Sequence, residues 1–156
     1  MVDRRVNVRG IISKNGKILA QQLKPGIDER ERDYWCTPGG GLEEAESLIQ
    51  GLNREIIEET GIAPKIGKLL FIQQFQDNNG QREKEQLEFF FNIENADDYK
   101  TIDLSATSHG DIEIKHVEFI DPKAHNILPA FLQTIDIQDF IENNKPVYIH
   151  NGFLEE

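Results

Sequence analysis

The sequence predicts an α/β domain, and three observations predict it. Short segments rich in β-branched and aromatic residues recur along the chain. A single strongly periodic helical segment, 47–60, interrupts them. No run of about 18 apolar residues occurs, so no segment reads as a membrane span.

Each element has its own warrant. Val6 to Ile12 reads as a strand. Asn15-Gly16 is a two-residue hairpin signal, and Lys17 to Leu23 is the returning strand. A polar loop, Lys24 to Asp33, follows and carries the charge run Asp28-Glu29-Arg30-Glu31-Arg32-Asp33, a solvated loop by composition. Tyr34 to Thr37 forms a short strand, stopped by Pro38-Gly39-Gly40-Gly41. Ser47 to Thr60 is a helix: Ser47 with Gln50 makes a capping-box pattern, and Gly61 stands where a C-cap glycine belongs. Strands are expected at Lys68 to Gln76, Gln86 to Ile93 and Ile114 to Ile120, with a turn at Asn78-Asn79-Gly80 joining the first two. Asn126 to Phe131 and Gln138 to Asn143 look helical, and Val147 to His150 a last short strand. Asn151-Gly152-Phe153 reads as a turn before a tail.

Length and charge bound the function. The 156 residues, read as one domain over 1–156, suffice for one core. Met1 to Arg9 is charged and lacks the apolar centre of a signal peptide, and the lone cysteine, Cys36, allows no internal disulfide. Both suit a cytoplasmic protein. The net charge of −11 repels a nucleic-acid polymer at long range. A small phosphorylated ligand remains compatible, because a divalent cation reverses the local field.

The segment Arg54-Glu55-Ile56-Ile57-Glu58-Glu59-Thr60-Gly61 carries the chemistry. At about 100° per residue, Leu48, Ile49, Leu52 and Ile56 fill one arc that should face a core. Glu55, Glu58 and Glu59 share a face at i, i+3, i+4, and Glu59 projects between Leu48 and Leu52. Like charges at i, i+4 cost a few tenths of a kcal/mol. Carboxylates in a last turn oppose the helix dipole at roughly 0.3–1 kcal/mol each. Arg54, the helix's single basic residue, cannot neutralise three. Such a face, taken alone, usually marks solvated surface. Here three glycines run into it, and glycine lets a ligand approach the backbone closely. Hard carboxylate oxygens suit Mg²⁺ or Mn²⁺, which retain waters that can attack.

Gly40, five residues, Glu46, seven residues, then Arg54-Glu55-Ile56-Ile57-Glu58-Glu59-Thr60-Gly61-Ile62 resembles the Nudix box, G-x5-E-x7-R-E-U-x-E-E-x-G-U, at every fixed position. The likeness extends over roughly residues 5 to 135 and is specific within the box. The resemblance implies the Nudix fold, a mixed β-sheet sandwiched between α-helices. It implies metal-assisted hydrolysis of a nucleoside diphosphate linked to another group. Glu55, Glu58 and Glu59 would then ligate Mg²⁺ (Mn²⁺ as a substitute), joined by the carbonyl of Gly39. Glu46 and Arg54 would form a supporting pair beside Gly40. The general base is Glu55 or an acid on a later loop, Glu113 or its rival Asp111.

Other residues carry plainer readings. Cys36 and Trp35 are read as packing residues, and Phe89-Phe90-Phe91 as core. The four histidines show no zinc-ligand spacing. Lys24, Arg30 and Arg32 are candidate contacts to substrate phosphates. Two rivals to a hydrolase stand: a Nudix-fold ligand sensor without turnover, and an acidic calcium-binding surface, the latter lacking an EF-hand loop. Nucleoside triphosphates (oxidised ones included), ADP-ribose, nucleotide sugars and dinucleoside polyphosphates all fit. Oligomeric state is open, a homodimer included.

Overall fold

The computed structural model describes residues 3–26, 31–77 and 84–154. Strand β1 (Asp3–Ile11) leads into a small hairpin of β2 (Ser13–Lys14) and β3 (Lys17–Leu23). Asn15 and Gly16 turn it with φ of 52° and 77°, the left-handed pair that a tight hairpin requires. β4 (Trp35–Cys36) and β5 (Gly39–Gly41) precede helix α1 (Leu48–Thr60). The long strands β6 (Ile66–Asp77) and β7 (Lys84–Ile93) follow. The short α2 (Gly110–Glu113) runs straight into β8 (Ile114–Ile120). The chain ends through β9 (Ile127–Leu128), α3 (Ile137–Glu142) and β10 (Tyr148–Asn151). The turn expected at Asn78-Asn79-Gly80 and the candidate residue Arg30 lie outside the described residues.

The α/β class is as the sequence implies, with the strands divided between two mixed sheets and few helices. One sheet runs β10-β6-β7-β1-β5, with β1 parallel to β7 and β10 parallel to β6. The other runs β2-β3-β4-β9, with β8 paired to β3. A core joins the two sheets: Ile11, Phe71 and Phe90 meet Ile18, Ala20, Ile120 and Ile127, closed by Phe131, Leu132 and Ile137. A second core lies under α1, where Leu52 and Ile56 meet Val8, Ile12, Phe91 and Ile93. Leu52 and Ile56 are fully buried, each stabilising the fold by roughly 1.5–3 kcal/mol.

The capping box forms as expected. Ser47 Oγ accepts from Gln50 N–H at 3.1 Å, and Gln50 Oε1 accepts from Ser47 N–H at 3.0 Å. Gly61 ends α1 at φ 75°, its N–H reaching the Ile57 carbonyl at 2.8 Å. Two expectations need correction. Ile49, placed by periodicity in the core arc, is 48% exposed, because it stands at the second position of α1, ahead of the buried Gly51, Leu52, Ile56, Glu59 and Thr60. Asn126 to Phe131 is not a helix. Ile127 and Leu128 pair with Trp35 and Cys36 as strand β9, and a 3₁₀ turn, Ala130–Gln133, follows Pro129. Pro129 lacks an N–H and biases Leu128 towards extended backbone, so no helix can run through this point.

Candidate active site

The chain reaches α1 through the glycine turn. β5 pairs with β1, and Gly39 adopts φ 140°, where a Cβ would be driven into the Val8 carbonyl oxygen. At Gly40 a Cβ would meet the Glu55 carboxylate at 2.6–2.8 Å, so this glycine leaves the space that the carboxylate occupies. The residues that resemble the Nudix box are therefore in contact, not merely adjacent in sequence.

Arg54 organises the acids. Its Nε donates to Glu46 Oε1 at 2.7 Å and its Nη2 to Glu46 Oε2 at 3.0 Å, a bidentate pair. Nη2 also donates to the Gly41 carbonyl at 3.0 Å. Its Nη1 donates to both Glu55 Oε1, at 2.9 Å, and Glu58 Oε2, at 3.2 Å. One guanidinium thus engages three carboxylates. Hydrogen bonds from Arg54 hold the Glu46 carboxyl down at about 2. Burial pushes the Glu55 carboxyl above its ordinary value, against the pull of Arg54.

Glu59 stands apart from this fork. It is 4% exposed and accepts the Gly39 N–H at 3.0 Å. Burial pushes its carboxyl up to about 8, against the pull of Arg9, the Gly39 N–H and the Gln21 amide, while Glu55 adds to the rise. Among the described residues no three acidic, histidine or cysteine side chains stand close enough together to cage an ion. The donors nevertheless suit a hard divalent cation. They are carboxylate and carbonyl oxygens, and two of the carboxylates already converge on a single cationic nitrogen.

The later acids and the loop cations fall elsewhere. Glu113 is exposed and lines a cleft of about 280 Å³ with Lys24, Pro25, Arg32 and Ile112. Lys24 is tied down, its Nζ donating to the Asp111 carbonyl at 2.5 Å. Lys24, Arg32 and Glu113 therefore share one place, and none of them joins the Arg54 fork. The turn carrying Asp111 and Glu113 docks on the end of α1: His109 N–H reaches the Glu58 carbonyl at 3.0 Å, and His109 Nδ1 lies 3.6 Å from Glu58 Oε2.

The sequence reading missed a polar cluster on the other side of the glycine turn. A cavity of about 490 Å³ opens between the sheets, lined by Arg9, Thr37, Gln73 and Glu88 among others. Arg9 Nε donates to Glu88 Oε2 at 3.0 Å, and its Nη1 to the carbonyls of Thr37 and Gly39 at 3.2 and 3.0 Å. Gln73 Nε2 donates to Glu88 Oε1. Arg9 thereby joins the cavity to the turn that contacts Glu59. Cys36 also lines it, with a thiol that burial pushes up to about 11, which suits packing and not nucleophilic attack. Trp35 packs against the core edge-on to His125, as read.

A glycine turn that seats carboxylates, beside two mixed sheets, defines the class: an α/β domain whose acids gather where a strand turns into a helix. The NUDIX domain model matches residues 1–138, and the chain belongs to the Nudix family of hydrolases. By sequence the chain is similar to an ADP-ribose pyrophosphatase of Methanocaldococcus jannaschii, 36% identical over 74 residues, 47% of this chain and 42% of that protein. It is also similar to the human diphosphoinositol polyphosphate phosphohydrolase 2, 44% identical over 48 residues, 31% of this chain and 27% of that protein. The matches thus span less than half the length of these curated relatives. In fold it resembles a MutT protein from Bacillus halodurans (TM-score 0.65, 19% identical, covering 94% of this chain and 89% of that one). It also resembles an ADP-ribose pyrophosphatase from Streptococcus suis (TM-score 0.61, 16% identical, covering 93% and 98%).

Proposed function

We propose that residues 1–156 act as one catalytic domain that hydrolyses the diphosphate linkage of a small phosphorylated nucleotide or nucleotide derivative, with Mg²⁺ or Mn²⁺ as cofactor. The observation that carries this reading is the surplus of acid on α1: one arginine faces Glu46, Glu55 and Glu58, while a fourth carboxylate, Glu59, is buried beyond its reach. A cation resolves that surplus. Glu55, Glu58, Glu59 and the Gly39 carbonyl would hold it. When bound, it supplies neutralisation of the diphosphate oxygens and an acidified water.

The chain's own residues do the rest. Arg54, clamped by Glu46 and the Gly41 carbonyl, fixes where the Glu55 and Glu58 carboxylates lie. Gly39 and Gly40 keep the turn close enough for carboxylate and backbone to face one substrate group. Glu55, with a carboxyl raised by burial, is suited to take a proton from the attacking water. Glu113 and Asp111, on the turn docked against the end of α1, are the alternative bases.

The organic part of the substrate has a place between the sheets, one loop away from Glu59. The relatives include an ADP-ribose pyrophosphatase and diphosphoinositol polyphosphate phosphohydrolases, and the cavity lining favours the first kind of ligand. An inositol polyphosphate needs an array of cations. Among the described lining residues Arg9 is the one guanidinium, and it is engaged by Glu88 and two carbonyls. A nucleotide derivative is the better fit. No helix of the described residues is long and apolar enough to cross a membrane.

The test is release of phosphate or nucleoside monophosphate from nucleoside triphosphates, ADP-ribose, nucleotide sugars and dinucleoside polyphosphates. Turnover is expected with Mg²⁺ or Mn²⁺ and is expected to vanish on chelation with EDTA. Full activity in EDTA would remove the metal from the account. Binding without turnover of any compound would favour a ligand sensor.

A further inference from the structure

The inner face of the first sheet changes character along its strands. The register sets Tyr148, Phe71 and Phe90 in one transverse row across β10, β6 and β7. The next row, two residues along, is His150, Gln73, Glu88 and Asn7, running on into β1. A sheet face covered by a second sheet is expected to be apolar. Here Asn7, Gln73 and Glu88 are 1%, 5% and 6% exposed. A buried charge is tolerated when it is paired and hydrogen-bonded. Arg9 and Gln73 pair Glu88, so the polar row is a built site and not a packing fault.

That site has a defined donor and acceptor pattern. A carboxylate offers about four lone-pair positions. Glu88 Oε2 takes one bond from Arg9 and Oε1 one from Gln73, which leaves an accepting position on each oxygen. Glu88 lines the cavity. Thr37, 1% exposed, lines it too, and its buried Oγ1 has no hydrogen-bond partner within the protein. A buried carboxylate with spare lone pairs points to a ligand that brings N–H groups, while the Thr37 hydroxyl can accept or donate. A ligand carbonyl set against Glu88 would put lone pair against lone pair. The volume of about 490 Å³ suits a small-molecule site, and Tyr34 and Phe75 add aromatic lining for a planar group.

We propose that Glu88, positioned by Arg9 and Gln73, is a specificity-determining residue that selects a nucleobase carrying an exocyclic amino group over its oxo counterpart. The proposal deepens the nucleotide reading and rests on it for the substrate class. Part of the site comes from β10 and the turn after it, His150 and Gly152, which lie beyond residues 1–138 matched by the family model. Glu88, Arg9, Gln73 and Thr37 all lie outside the box, Gly40 to Ile62.

The test is calorimetric binding of nucleoside monophosphates to the full chain in EDTA, in matched pairs: AMP with IMP, CMP with UMP, GMP with XMP. In the pair that binds best, the amino member is expected to bind about tenfold tighter or more, the cost of leaving a buried acceptor unpaired. Glu88→Gln, whose amide can turn its NH₂ towards an oxo group, is expected to bring that ratio to within about threefold. Should Glu88→Gln fail to fold, Thr37→Val removes one buried hydroxyl at constant shape and is expected to weaken the amino member about fivefold. Equal binding within the pairs, a preference unchanged in Glu88→Gln, or no binding of any monophosphate overturns the proposal. Selective binding by a protein that hydrolyses nothing upholds it and sinks the hydrolase reading instead.

Discussion

Glu59→Gln lowers turnover by about 10²–10³-fold or more, the scale on which removing one preorganised group from a charged transition state acts. The metal-free protein stays folded. Glu59 is 4% exposed and accepts a hydrogen bond from Gly39 N–H, which a glutamine oxygen can accept as well. Burial disfavours the charge there, so a neutral amide relieves a cost that the carboxylate carries. The melting temperature without metal is therefore expected to hold or rise. Activity and stability move in opposite directions, and that pattern separates a chemical role from a structural one. Wild-type rates under saturating Mg²⁺ would remove Glu59 from the mechanism. A loss of activity matched by a collapse in melting temperature would make its role structural.

Arg54→Ala produces the largest expected loss of stability. The fork engages Glu46, Glu55 and Glu58 together, and its removal leaves three carboxylates facing one another. Breaking a fully buried pair costs about 3–5 kcal/mol. The Arg54 side chain is 22% exposed, so solvent screening reduces this to about 2–3 kcal/mol. For a chain of this length that is a fall of roughly 4–12 °C in melting temperature. Mg²⁺ is expected to return part of it, because a cation can take over the charge that Arg54 balanced. Arg54→Lys keeps the charge but loses the bidentate geometry, and is expected to fall between the two. Thermal melts with and without Mg²⁺ check this. No destabilisation in Arg54→Ala, or no effect of Mg²⁺ on it, would contradict the arrangement.

Local signals gave the catalytic side of the molecule. The capping residues Ser47, Gln50 and Gly61, the hairpin at Asn15-Gly16 and the acid spacing on α1 act within a few residues of one another, so each is readable from a short window. The burial of Glu59 was foreshadowed by its place between Leu48 and Leu52. The polar row was not found, because it is assembled by register across four strands that are distant in sequence. Its trace was present. Gln73 and Glu88 fall in step with Phe71 and Phe90, at positions where a period of two predicts apolar residues. Phe89-Phe90-Phe91 reads as core by its apolar run, and Glu88 directly before it is buried as well. Asn126 to Phe131 cannot hold the helix expected there, because Pro129 interrupts it.

The position of Glu113 turns on the same point. The resemblance implies Glu113 as a candidate ligand or base, and the structure sets it in a cleft with Lys24 and Arg32. The turn that holds it docks on the end of α1 through His109 and Gly110.

Everything in the catalytic reading depends on the carboxylates of α1 sharing a divalent cation. Titration calorimetry with Mn²⁺ and Mg²⁺, on the native chain and on the triple variant Glu55→Gln, Glu58→Gln, Glu59→Gln, measures this directly. Saturable uptake by the native chain, lost in the folded triple variant, is the predicted result. No uptake by the native chain, or equal uptake by both, would contradict it.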